Sequence, residues 1–185
     1  MIETIKQDAE ERMGKAVANL KKEFASIRTG KASPALLDRI VVDYYGVPTP
    51  LNQMAGVSAP EARMLLIQPW DKSALGNIEK AILKSDLGLT PTNDGSVIRL
   101  VIPQLTQDSR KELGKKVKKF GEEAKVAVRN IRRDSNDEIK KLEKAKEITE
   151  DDSKAAQDVI QKMTDKYVAE VDKAAANKEA EIMEI

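Results

Sequence analysis

All seven prolines of this 185-residue chain fall between Pro34 and Pro103, and none interrupts the sequence on either side. Proline removes a backbone donor and clashes with the preceding helical turn, so it terminates helices. Long helices are therefore possible only in the two flanks, and the middle must be assembled from short elements. Six of the nine glycines and three of the six aromatics share that central window, residues 30–105. The texture of the chain separates 1–29 and 106–185 from 30–105.

Both flanks carry a helical period. In residues 2–28, Ile2, Ile5, Ala9, Met13, Val17, Leu20, Phe24 and Ile27 recur every three or four positions, which predicts one amphipathic helix ending at Thr29-Gly30. From Thr106 to Lys146 the apolar positions are Leu113, Val117, Phe120, Ala124, Val128, Ile131, Ile139 and Leu142. Thr106 suits an N-cap, and Thr149-Glu-Asp-Asp152 reads as the N-cap and acidic first turn of a last helix. Its seam runs through Ala156, Val159, Ile160, Met163, Tyr167, Val171, Ala174 and Ile182. Gly114 and Gly121 each cost a helix interior about 1 kcal/mol relative to alanine, so packing should hold those turns, or a slight bend should mark them. No single stripe can bury itself, so the three helices are expected to form an antiparallel bundle.

The centre reads as a small, β-rich α+β unit inserted between the first and second helices. Pro34 opens a short helical turn through Leu37. Ile40–Tyr45 reads as a strand, Gly46–Pro50 as a turn, and Leu51–Ala55, Val57–Ala59, Met64–Pro69 and Val97–Ile102 as further strands. Ser73–Ser85 resembles a capped helix, and Asp86–Gly95 a long polar connection. Tyr44, Tyr45 and Trp70 are expected in its core. The fold class is therefore α+β in two domains: a discontinuous bundle of 1–29 and 106–185, and an inserted domain of 30–105. Only two strands of chain connect them, so Thr29, Gly30 and Lys31 with Gln104, Leu105 and Thr106 are expected to act as hinges.

Composition excludes much chemistry. The chain has no cysteine and no histidine, which removes thiolate chemistry, the usual general base and the commonest transition-metal ligands. Neither Gly-x-Gly-x-x-Gly nor a phosphate-binding loop motif is present, so an enzyme is not expected, nor is a cofactor, metal or small-molecule substrate. No apolar run is long enough to span a membrane, and the first residues lack the pattern of a signal peptide. A monomeric cytoplasmic protein with no membrane association is expected.

The net charge of +1 conceals a segregation: residues 106–146 carry +6 and residues 147–185 carry −6. At about 100° per residue, Lys125, Arg129, Arg132, Arg133, Asn136 and Lys140 fall away from Ile131. Two readings fit this stripe. It is either a solvated face paired with acids of the last helix, or a phosphate-binding face. The guanidinium's planar fork suits bidentate phosphate contacts, and exposed ion pairs would gain at most about 1 kcal/mol each. With no aromatic among the arginines, recognition of structured RNA by its backbone fits better than reading of single strands.

Four stretches, Ile27-Arg-Thr-Gly-Lys-Ala-Ser-Pro34, Tyr44-Tyr-Gly-Val-Pro-Thr-Pro-Leu51, Lys84-Ser-Asp-Leu-Gly-Leu89 and Ala127-Val-Arg-Asn-Ile-Arg-Arg-Asp134, resemble the signature segments of the bacterial ribosome recycling factor family. The resemblance spans the chain. It implies an L-shaped protein of roughly tRNA-like dimensions, a three-helix bundle carrying an inserted domain on a flexible elbow. It also implies action after translation termination, on ribosomes still holding mRNA and tRNA, with GTP-bound elongation factor G as partner. By position in the matching motif, Arg132 and Arg129 are then expected to contact large-subunit ribosomal RNA, with Arg28 adding to them.

Overall fold

A computed structural model describes residues 1–184. They divide into two compact units: Met1–Phe24 with Gly114–Ala180, and Ala25–Leu113 with the chain's end from Glu181.

The first unit is a three-helix bundle built from α1 (Ile2–Ala25), most of α3 (Gln107–Lys144) and most of α4 (Glu150–Met183). The buried positions of α1 are Ile5, Ala9, Met13, Val17, Leu20 and Phe24, and those of α3 are Val117, Gly121, Ala124, Val128, Ile131, Ser135 and Ile139. Spacings of three and four keep one stripe on a partner helix at shallow crossing angles. In α3 and α4 the contacts run in opposite directions. A Cβ at Gly121 faces Val171 and Ala175, Lys125 meets Asp172, and Arg132 meets Gln161. The two helices are therefore antiparallel.

Helix α3 starts where the Thr106 hydroxyl accepts the Ser109 amide at 3.1 Å. It ends on Lys146, at φ 59°, with Lys146 N donating to Glu143 O and Glu147 N to Leu142 O. This left-handed closure satisfies two end carbonyls, with lysine where glycine is usual. Thr149 and Asp152 then cap α4 reciprocally, each side chain accepting the other's amide, at 3.0 and 3.3 Å. Both Gly114 and Gly121 lie inside the unbroken α3.

Polar contacts tie α1 to the other two helices. The Tyr167 hydroxyl donates to Glu10 at 2.6 Å, and the Arg12 guanidinium meets Asp134 at 3.1 Å. The Glu10 carboxylate, accepting that bond beside a buried ring, pushes the Tyr167 phenol up to about 12.

The second unit contains a two-stranded sheet, β1 (Val41–Tyr44) with β2 (Val47–Pro50), and a four-stranded antiparallel sheet in the order β3-β4-β6-β5. The latter comprises β3 (Ala55–Glu61), β4 (Met64–Pro69), β5 (Pro91–Asn93) and β6 (Ile98–Val101). Leu65, Ile67, Ile98 and Leu100 point inward on alternate positions, and Ile78 and Ile82 of α2 (Leu75–Lys84) complete the core with Leu37, Val42 and Leu51. Asp71 rather than Ser73 opens this helical region, accepting the Ser73 amide at 3.0 Å.

Four expectations are corrected here. Gly46–Pro50 is not simply a turn: the turn is Tyr45-Gly46, both at positive φ (51° and 79°), and Val47–Pro50 is a strand. Pro48 and Pro50 pair with Asp43 and Val41; counted from the two-residue turn, both are non-hydrogen-bonded positions, where a missing amide costs no ladder bond. Leu51–Gln53 is a 3-10 turn and not a strand. The polar connection after α2 includes β5, followed by the Asp94 carboxylate accepting the Ser96 and Val97 amides. Finally, Tyr45 and Trp70 are 77% and 70% exposed, not core. Tyr44, half-buried, donates its hydroxyl to Asp71 at 2.7 Å.

A Cβ at Gly121 would make ordinary contacts of 3.8 and 3.9 Å, and one at Gly114 would meet nothing within 4 Å. Gly114→Ala and Gly121→Ala are each expected to raise bundle stability by about 0.5–1 kcal/mol through helix propensity. Urea unfolding checks this, and a loss at either site would show the glycine is needed. Because Tyr167 titrates higher folded than unfolded, its stabilisation is complete below pH 10 and disappears as pH rises through about 12. The stability gap between the parent and Tyr167→Phe should therefore close over that interval in alkaline denaturation.

Candidate nucleic-acid interface

The outward arc of α3 is defined by what the seam buries. With Val128 and Ile131 facing inward, Arg129, Arg133 and Lys140 lie roughly opposite them, at about 160–200° from Ile131. All three are exposed. Among the described residues, no hydrogen bond or ion pair engages Arg129 or Arg133. These guanidinium groups present their full donor sets to solvent, a state suited to capturing phosphate oxygens.

Arg132 and Lys125 are placed differently. They are seven residues apart and sit on one shoulder of α3, at about 100–120° from Ile131, where α4 comes alongside. Arg132 is half-buried, and its Nη1 donates to Gln161 Oε1 at 3.2 Å. Lys125 is also half-buried. Its ammonium pairs with Asp172 of α4 and lies 3.5 Å from Glu122. The hydrogen bond to Asp172 holds the Lys125 pKa above the ordinary lysine value. The expectation of a uniformly outward basic back is thus corrected at Lys125, Arg132 and Asn136, all half-buried on the shoulder beside α4, with Lys125 and Arg132 bonded to it. Projection about a single helix axis does not reveal which flank a second helix covers.

Asn136, on the same shoulder, is half-buried with its Oδ1 unpartnered. Arg28 belongs to the second unit, where its Nη2 donates to the Pro103 carbonyl at 3.1 Å. The residues expected to flex also lie there. The Thr29 hydroxyl accepts the Lys31 amide at 3.2 Å, Lys31 pairs with Glu184 at 3.0 Å, Leu105 is buried, and Thr106 caps α3. Gly30 and Gln104 fall in irregular backbone beside them.

Two α4 side chains at this face, Gln161 and Asp172, escape a search for bases. Their part becomes visible only with the α3–α4 register, since one is neutral and the other acidic.

Comparison with known proteins supplies the context for this face. A family model described as ribosome recycling factor matches residues 20–183. The chain belongs to the ribosome recycling factor family. It is 62% identical over 185 residues to the ribosome-recycling factor of Heliobacterium modesticaldum and 60% identical to that of Brevibacillus brevis, covering the full length of both. A solution structure of a ribosome recycling factor matches with 44% identity and a TM-score of 0.78, over 100% of this chain and 98% of that one. A second match, at 44% identity, TM-score 0.69 and full coverage of both chains, is T. thermophilus ribosome recycling factor described with E. coli elongation factor G on the E. coli post-termination complex. Among the described residues, no helix of this family member is long and apolar enough to cross a membrane.

Replacing Asp172 with asparagine should release the Lys125 ammonium and tighten binding to structured RNA by several-fold, because one more cation becomes available to phosphate. The salt dependence of that binding is the measurement. An unchanged slope would mean that Lys125 takes no part even when freed.

Proposed function

We propose that this chain recycles ribosomes after translation termination: it binds the post-termination ribosome at large-subunit ribosomal RNA and, with elongation factor G and GTP, promotes separation of the subunits and release of mRNA and tRNA. The observation that carries this reading is the pair of unpaired, exposed guanidinium groups of Arg129 and Arg133, with Arg132 on the adjoining shoulder of the same 38-residue helix. The family relationship supports the same activity.

In this reading Arg129, Arg132 and Arg133 hold RNA phosphates, and the long α3 serves as a stiff lever. Lys125 joins them only when its bond to Asp172 opens, and Arg28 of the second unit is assigned a phosphate contact of its own. The protein supplies no covalent chemistry of its own; the GTP cycle belongs to elongation factor G. It works as a single copy in the cytoplasm, where ribosomes are. Flexing is assigned to Thr29–Lys31 and Gln104–Thr106. Those residues lie in the two irregular connections between Ala25 and Pro34 and between Val101 and Gln107, the segments that deform without breaking a helix.

The deciding experiment is breakdown of post-termination ribosomes by the purified protein with elongation factor G and GTP. Arg132→Ala should weaken large-subunit binding by about tenfold, reduce the salt slope by about 1 and suppress splitting, with the unfolding midpoint unchanged. Parent-like binding and splitting by this variant would refute the anchor.

A further inference from the structure

Two cations occupy one shoulder of α3 a heptad apart, and α4 offers each a different partner. Lys125 receives the Asp172 carboxylate, which cancels its charge. Arg132 receives the side-chain amide of Gln161 at 3.2 Å. A neutral amide oxygen can hold one edge of a guanidinium without neutralising it, leaving the remaining donors and the whole positive charge for an anion.

The amide itself is held. Gln161 Nε2 donates to Asp165 Oδ1 at 2.9 Å, one helical turn further along α4. Arginine can only donate and a carboxylate can only accept, so the sole consistent orientation of this amide turns its oxygen toward Arg132. Asp165 sets Gln161, and Gln161 sets Arg132. Both α4 residues are exposed, where such bonds add little to folding.

We propose that Gln161, braced by Asp165, is a positioning residue for phosphate recognition: it pre-orders the Arg132 guanidinium with its charge intact. This rests on the reading of Arg132 as a phosphate contact. Bound RNA meets an arginine already arranged, so less side-chain freedom is lost on association. Substituting a carboxylate for the amide, as Asp172 does for Lys125, would turn orientation into neutralisation.

The test measures binding of the full-length protein to purified large ribosomal subunits across a salt series, with urea midpoints recorded for every variant. Gln161→Ala should weaken binding about threefold through the ordering cost of one long side chain, with the salt slope unchanged because Arg132 keeps its charge. Gln161→Glu should weaken binding about tenfold and lower the slope by about 1, as one phosphate contact is lost. The double variant Arg132→Ala/Gln161→Ala should bind no more weakly than Arg132→Ala alone, and midpoints should match the parent throughout.

The inference is overturned if Gln161→Ala and Gln161→Glu both bind like the parent while Arg132→Ala is weak. It is equally overturned if Gln161→Ala weakens binding as much in the Arg132→Ala background as in the parent, which would mean direct contact with RNA. Should Arg132→Ala itself bind like the parent, the anchor reading fails and this inference with it.

Discussion

The rotation of α3 about its own axis governs everything the protein presents to a partner, and the packing of α3 on α4 sets it. Gly121 lies against Val171 and Ala175, while Val117, Ala124, Val128, Ile131 and Ile139 fill the same buried stripe. A slip of one position would turn α3 by about 100°. Arg129 and Arg133 would leave the solvent arc, and buried side chains would take their place in water. The apolar seam therefore specifies the basic face, although none of its residues is charged.

α4 then divides α3's cations into classes. Asp172 neutralises Lys125, Gln161 orients Arg132, and Arg129 with Arg133 stay beyond its reach. The opposite net charges of the two helical stretches do not cancel along this face: Lys125 is paired with Asp172, while Arg129 and Arg133 have no carboxylate partner. Separating the charges onto different faces lets one near-neutral chain carry a strongly positive surface.

Much of this was legible from residues alone. Three stretches with helical period, free of proline, became α1, α3 and α4, and Thr106 and Thr149 cap the last two as their positions implied. The family signatures pointed to the fold and to the arginines. The rest was hidden for identifiable reasons. In β2, Pro48 and Pro50 made a strand look like a turn, because composition does not reveal which amides a ladder needs. Tyr45 and Trp70 looked like core residues because aromatics usually are, yet one occupies a left-handed turn position and the other the bend that follows β4. Gln161 gave no signal, since its importance depends on a neighbour 29 residues away.

The two prolines of β2 also protect the molecule. In this hairpin their nitrogens face the outer edge, so that edge lacks two of the amide donors that a strand from another chain would seek. An exposed strand edge ordinarily invites such sheet extension between molecules. Here the invitation is withdrawn at alternate positions. The hairpin can keep its solvent-facing Val41, Tyr45 and Val47 without offering the backbone template on which fibrous aggregation begins.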